Sequence, residues 1–522
     1  MPRSSWLLVG LLVWPIVAGC SARRVPPAPV PPAVDLAPAD ALVDAGCYRC
    51  LIEAYGRYER ALNDAVAGSE ARRGLFVTAV LLALREKELD LDAAPWLQRA
   101  EAVATVEEQV YLDTVAAVPW QGGSSPDFKP AVTMTPARLE NWRRVIPAGR
   151  YPSLDHYVLL TLECQAGTRA SMDEALRSTD QTRPLLRYRA GICTAAQRPL
   201  LEALAATDPR FVEAWYFIGR YEMASGVNAG PGSAGRQWLT TAVAPLTRAY
   251  EGLPEAPTVA TVLARLMAAR SDFGRALALY DAALAQRPTH ADAALGRVVM
   301  LSYLKRYDDA VDAATRIITL DRGHVPSAWY YRAWNRYQKR QLELARQDVA
   351  TAIRLGAPDE VHVLSGLVAY DQQRPADARA DFTTAVQGNR NRCTAHWYLG
   401  ILDLDAESWA GALGRFSDAA ECYVATAASL EQQTTQLPED LPPDVKAAQV
   451  ASLQEDLADT RRQAGRSYFN AAQAAMRLDD RSRALHHARM AAGFDEMRDR
   501  AESMVRNLEA VREPAGRERA AP

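Results

Sequence analysis

The chain has 522 residues, 49% of them hydrophobic and 24% charged, with a formal net charge of -3. That composition supplies ample apolar material for a core and excludes a low-complexity chain. The near-balanced charge leaves no basic footprint of the kind nucleic acid requires. Long alanine-rich segments without alternating β-branched runs point to an all-α fold.

At the N-terminus, Arg3 precedes a short apolar run from Trp6 to Val17. It is too short for a permanent bilayer span and has the length of a signal-peptide core. The run ends in Val17-Ala18-Gly19-Cys20, which resembles the lipobox of bacterial lipoproteins. The resemblance implies removal of residues 1–19 and acylation of Cys20, several acyl chains together giving stable anchoring. Ser21 resembles the outer-membrane-directed pattern of Gram-negative lipoproteins, which implies lipid anchoring at the outer membrane, facing the periplasm. Residues 20–40 carry "VPPAPVPPAVDLAPAD", whose prolines lack the amide donors of a helix and predict an extended polyproline II tether.

Residues 41–118 predict an N-terminal helical region of three helices, with Cys50, Ala54, Tyr58 and Ala61 recurring at helical spacing in the first. Residues 119–152 predict an irregular segment around a short helix, Pro136 to Val145, and residues 153–210 predict worn helical hairpins. From 211 to 426 the pattern sharpens. Ala276, Ala310, Ala345, Ala378 and Ala412 return at intervals of 34, 35, 33 and 34, a period that marks stacked helical hairpins, none able to bury its apolar face alone. Around these alanines stand Trp215, Ile218 and Gly219, then Tyr280, Ala283 and Pro288, then Gly366, Phe382 and Ala385, then Leu399, Gly400, Phe416 and Ala419. They resemble the tetratricopeptide repeat (TPR), whose fold implies a right-handed superhelix of hairpins. Residues 427–465 predict a linker and a long helix from Asp444 to Arg462. Residues 466–511 predict a last TPR-like unit with Tyr468, Ala484 and Ala491, plus a capping helix, and residues 512–522 predict a disordered tail.

Besides Cys20 the cysteines fall into the pairs Cys47/Cys50, Cys164/Cys193 and Cys393/Cys422, the last two both 29 residues apart. In a TPR hairpin that separation joins the start of the first helix to the end of the second, so the resemblance implies disulfides in an oxidising compartment. Cys47-Tyr48-Arg49-Cys50 leaves open either a local structural bridge or a redox pair. The flanks lack a thioredoxin-like strand, and Leu51 breaks the c-type haem pattern. Gly230, Gly232 and Gly235 have dinucleotide-loop spacing but interrupt a helical hairpin instead of following a strand. His290, His324, His362 and His396 fall on different hairpins, and His486 and His487 diverge by about 100° on a helix. No metal set, cofactor motif or nucleophile elbow is present, and the chain reads as a non-enzyme.

By the resemblance, the concave face would be lined by Tyr216, Arg220, Arg265, Tyr330, Trp334, Tyr337 and Trp397, residue types that usually anchor interfaces. The Lys/Asn set with which chaperone-binding TPRs hold a terminal carboxylate is missing. In layout the chain resembles TPR lipoproteins that assist barrel assembly, pilus secretin targeting or cell-wall synthase regulation. That implies an adaptor for protein partners of the cell envelope, held to the membrane by its lipid alone and without nucleic acid. Two other classes stay open: an envelope thiol oxidoreductase using Cys47 and Cys50, and a peptidoglycan- or sugar-binding protein using the groove aromatics.

Overall fold

A computed structural model describes residues 34–117, 136–145, 149–166, 168–228, 237–320, 325–437 and 442–510. The readings placed on Cys20 and the rest of 1–33, on the Gly-rich 229–236 stretch, on His324 and on the 512–522 tail lie outside them. The described residues form helices and no strands.

The array from 257 alternates two sets of helices. First helices are Pro257–Ala269, Ala291–Tyr303, Pro326–Gln338, Glu360–Asp371 and Cys393–Asp405; second helices are Phe273–Gln286, Tyr307–Leu320, Leu342–Arg354, Pro375–Gly388 and Trp409–Thr435. Each packs on its chain neighbours, and successive first helices also approach one another more closely than successive second helices do. The stack therefore curves with the first helices on its inner side. The periodic alanines 276, 310, 345, 378 and 412 are all fully buried, because the hairpins close over them. Gly366 and Gly400 sit where a Cβ would meet the Phe382 and Phe416 rings at 2.6 and 2.8 Å. Only a bare Cα lets the ring lie flat against the helix.

Each hairpin turns on a residue in the left-handed conformation: Ser271, Lys305, Arg340, Gln373 and Glu407, with φ between 53° and 62°. Their spacing repeats that of the alanines. The amide one residue later reaches back across the turn, as from Asp272 to Met267 O at 2.9 Å, from Arg306 to Leu301 O at 2.9 Å and from Ser408 to Asp403 O at 2.8 Å. These bonds satisfy helix-end carbonyls in the Schellman manner, though no turn carries the usual glycine.

The flanks depart from the sequence reading. The first described helix starts at Ala37 with Pro38 in its first turn, a position where the missing amide costs nothing, so the extended tether does not run to residue 40. Five α-helices, not three, occupy the next region: Ala37–Ala45, Tyr48–Ala61, Gly68–Glu88, Ala94–Val103 and Gln109–Ala117. Helix Pro136–Val145 lies where expected, and Pro152–Ala166 begins at the end of the segment read as irregular. At the C-terminus Pro443–Arg477 is one 35-residue helix, not a charged helix followed by a separate unit. Gly465 does not break it, because the Phe494 side chain fills the space beside its Cα. Among the described residues no helix is long and apolar enough to cross a membrane.

Candidate partner-binding groove

Helix Pro326–Gln338 carries the centre of the inner face. Its buried side is unusual for a hairpin seam, because Arg332 takes an aliphatic position. Asp348 accepts from Arg332 Nε and Nη2 at 2.9 and 2.7 Å and from Arg336 Nη1 at 2.7 Å, while the Arg332 guanidinium lies 4.6 Å from the Trp329 ring centre. This charge-assisted fork fixes the rotation of the helix against its partner. Tyr330, Trp334 and Tyr337, four and three residues apart, then share another face and stay half-buried. Trp334 and Tyr337 lie 6.3 Å apart between ring centres. Burial pushes the Tyr330 hydroxyl up to about 12, so it is a neutral donor at physiological pH.

The same register continues into the next two units. Residues 33 and then 34 further on are Val363 and Trp397, Leu367 and Ile401, Tyr370 and Leu404, and all six are half-buried. Sequence reasoning found only Trp397 among them. The signal for the other five was the repeat interval itself, applied from Tyr330, Trp334 and Tyr337. The Trp397 indole N–H is buried and has no hydrogen-bond partner among the described residues. Nearby charges are neutralised in place, Glu360 by Arg392 at 2.5 Å and Asp371 by Arg340 at 2.5 Å. The stripe is therefore apolar and aromatic, its polar groups being the Tyr330, Tyr337 and Tyr370 hydroxyls and the Trp334 and Trp397 indole N–H groups. It suits apolar side chains carried on a backbone with free carbonyls.

The other three groove candidates do not belong to this open stretch. Tyr216 is 1% exposed, with the Arg220 guanidinium 5.4 Å from its ring centre, and Arg265 is paired with Asp292 at 2.6 Å. The N-terminal helical region makes two joints with this part of the chain. Its Arg85, fully buried, pairs with Glu213 of helix Val212–Asn228, stacks 3.5 Å from the Tyr188 ring centre and lies 3.6 Å from Glu88. The Tyr48 amide also donates to Glu213, at 2.8 Å. A second joint centres on Asp90, which accepts from Thr258 Oγ1 at 2.5 Å and Arg287 Nη1 at 2.6 Å and lies 3.2 Å from His290 Nε2. Tyr216, buried at 1% exposure, is corrected from a partner contact to a core residue.

All three cysteine pairs are at disulfide distance, with Cα atoms 4.9, 5.3 and 5.4 Å apart for Cys47–Cys50, Cys164–Cys193 and Cys393–Cys422. Cys47 and Cys50 are 1% and 3% exposed, and Cys47 Sγ accepts from the Cys50 amide at the helix N-cap. Thiol exchange needs an accessible sulfur, so this burial counts against the redox reading. Of the described histidines, His290 meets Asp90 and Thr258, His362 lies 3.5 Å from Asp381, and His396 meets Arg390 O at 3.1 Å and Asp418 at 3.6 Å. Among the described residues no three His, Cys, Asp or Glu side chains converge to hold a metal.

Repeat interval, paired helices, buried small residues and inner aromatic stripe together define a TPR-type helical-hairpin solenoid. No family model matches the chain, and no curated protein matches it. Among solved structures it is similar to YrrB, a TPR protein with an unusual peptide-binding site, at 20% identity, covering 36% of this chain and 96% of that one with a TM-score of 0.29. It is similar also to Pseudomonas aeruginosa pilF, at 17% identity over 50% and 100% with a TM-score of 0.34. A chain of the APC/C hetero-tetramer Cut9-Hcn1 shares 11% identity over 90% and 94% with a TM-score of 0.33. Likenesses at this level carry no conclusion about partners, and the class rests on the chain's own hairpins.

Proposed function

We propose that the protein is a non-enzymatic adaptor of the bacterial cell envelope, tethered to the outer membrane through Cys20, that holds a protein partner along its inner face. The observation that carries the reading is the half-buried stripe Tyr330, Trp334, Tyr337, Val363, Leu367, Tyr370, Trp397, Ile401 and Leu404. Large apolar side chains left partly open on a curved, otherwise charge-neutralised face are what interface anchors are made from. The lipobox-like Val17-Ala18-Gly19-Cys20 supports the anchor, and paired cysteines support an oxidising compartment.

A photocrosslinking amino acid placed at Trp334 in cells tests the groove, with the same label at Arg346, an exposed residue of a second helix, as control. Discrete protein adducts from position 334 and none from 346 are expected. Adducts from both positions alike, or from neither, overturn the groove assignment. Cys20→Ser tests the anchor separately: loss of incorporated palmitate and release from the membrane fraction are expected, and unchanged fractionation rejects lipid anchoring.

A further inference from the structure

The last hairpin of the array overshoots its neighbours. The other second helices run 13 or 14 residues and the first helices 12 or 13. Trp409–Thr435 runs 27 and Pro443–Arg477 runs 35. At about 1.5 Å per residue, the surplus of the longer one makes an arm of roughly 30 Å.

The arm does not stand free in solvent. Gln449 is 5% exposed and donates its side-chain amide to the Ala269 carbonyl at 2.9 Å, 180 positions earlier. Ala269 ends the helix Pro257–Ala269, where the last carbonyls have no partner inside the helix, so the arm caps that helix from outside. Leu437, 7% exposed, belongs to the same apolar core as Val259, Leu263 and Leu266, and Val445, Val450 and Leu453 pack against that core. Positions 445, 449, 450 and 453 lie on one side of a helix, while Asp444, Ala448, Glu455 and Asp456 on the rest of it are exposed.

The arm is rooted in the hairpin next to Trp397 and ends on the first helix of the array. It thus links the last hairpin of the array to its first helix, four units back along the chain from Trp397. The contact is small, four apolar side chains and one hydrogen bond. It also leaves the Gln436 and Gln449 side-chain oxygens buried with no partner among the described residues, which works against docking.

The geometry points to a strap. Residues 427–437 and 442–464 close the solenoid by docking Leu437, Val445, Gln449, Val450 and Leu453 at Ala269, and their release opens the inner face to a partner. The occupant that competes for the Ala269 site is an amphipathic helix with apolar residues at the arm's own spacing and an amide donor among them. The strap rests on the adaptor reading for its purpose but is tested independently of it. The test uses full-length protein, a Gln449→Ala/Leu453→Asp variant, and a fluorescein-labelled peptide of residues 442–458 as probe. The peptide is expected to bind the variant at least ten-fold more tightly than the wild type, whose docked arm competes within the same molecule. Equal affinity for the two proteins, or no binding to the variant, overturns the strap. Hydrogen exchange gives a second readout on the intact chain. Amides of 444–456 are expected to exchange about ten-fold faster in the variant, and unchanged exchange rejects the contact. Where the double variant does not fold by circular dichroism, Gln449→Ala alone carries both comparisons. Trp334→Ala is expected to leave both readouts unmoved, so strap and groove can fail separately.

Discussion

Gly400 and Gly414 stand 14 residues apart in one hairpin and face opposite fates on substitution by alanine. Both are interior helical positions, where alanine gains up to about 1 kcal/mol over glycine. At Gly414, which is exposed, a new Cβ meets nothing within 4 Å, so Gly414→Ala should stabilise by about 0.5–1 kcal/mol. At Gly400 the new Cβ would lie 2.8, 2.9 and 3.0 Å from three atoms of the Phe416 ring, distances that force the ring to move. Phe416 is fully buried and so is Ala412, one turn before it, so the ring has nowhere to go without opening the seam. Overpacking of this kind costs about 1–3 kcal/mol, and the net for Gly400→Ala is a loss of about 0–2 kcal/mol. Urea unfolding followed by far-UV circular dichroism reads both variants against wild type. The expected separation between them is about 1–3 kcal/mol. Equal shifts in the two variants would refute the idea that bare Cα positions set the hairpin spacing.

Other outcomes follow from the joints and staples. Glu213→Ala leaves the fully buried Arg85 with Glu88 at 3.6 Å and the Tyr188 ring. Stability should fall by about 3 kcal/mol or more, measured by urea titration, and a loss under 1 kcal/mol would mean that the joint is not buried in solution. Removing the Cys393–Cys422 pair by double alanine substitution releases a loop of 29 residues, worth about 3–4 kcal/mol in the chain-entropy account, visible as a lowered thermal midpoint matched by reduced wild type. Glu108 has burial working against its charge, but Arg72, the Tyr151 hydroxyl and the Thr105 amide outweigh burial and hold it down at about 2. Its folded value lies below the ordinary 4.5, so its contribution is complete above that value and is lost as pH falls toward 2. Acid titrations of unfolding should therefore steepen over that window in wild type and flatten in Glu108→Gln.

What could be seen in the sequence was whatever the repeat copies. Alanines 276 to 412 return every 33 to 35 residues, so hairpin placement was legible from spacing, while Tyr330, Trp334, Tyr337 and Trp397 were placed on the inner face by the TPR resemblance. The turns were harder, because Ser271, Lys305, Arg340, Gln373 and Glu407 hold the left-handed conformation without the glycine that signals it. What hid most completely were features made by contacts between distant segments. Arg85, Glu88 and Glu213 look like surface charges until Val212–Asn228 meets Gly68–Glu88 and both are shut away from water. Tyr216 has the same chemistry as Tyr330, and only the packing around each separates a buried ring from a half-buried one. Gln449 reads as one polar residue among many on a charged helix, and nothing local distinguishes it.

Long-range contacts also change what kind of folding object this chain is. A plain solenoid is quasi-one-dimensional, so its ends fray and its units melt nearly one by one. Here Glu213 meets Arg85 across 128 positions, Asp90 meets Arg287 across 197 and Gln449 meets Ala269 across 180. The terminal segments are thereby stitched into the middle of the array. Loss of any one hairpin between them strands contacts at both ends of a stitch. Unfolding should be more cooperative than a row of independent units allows, and folding slower, since those closures come late and carry a large loop entropy.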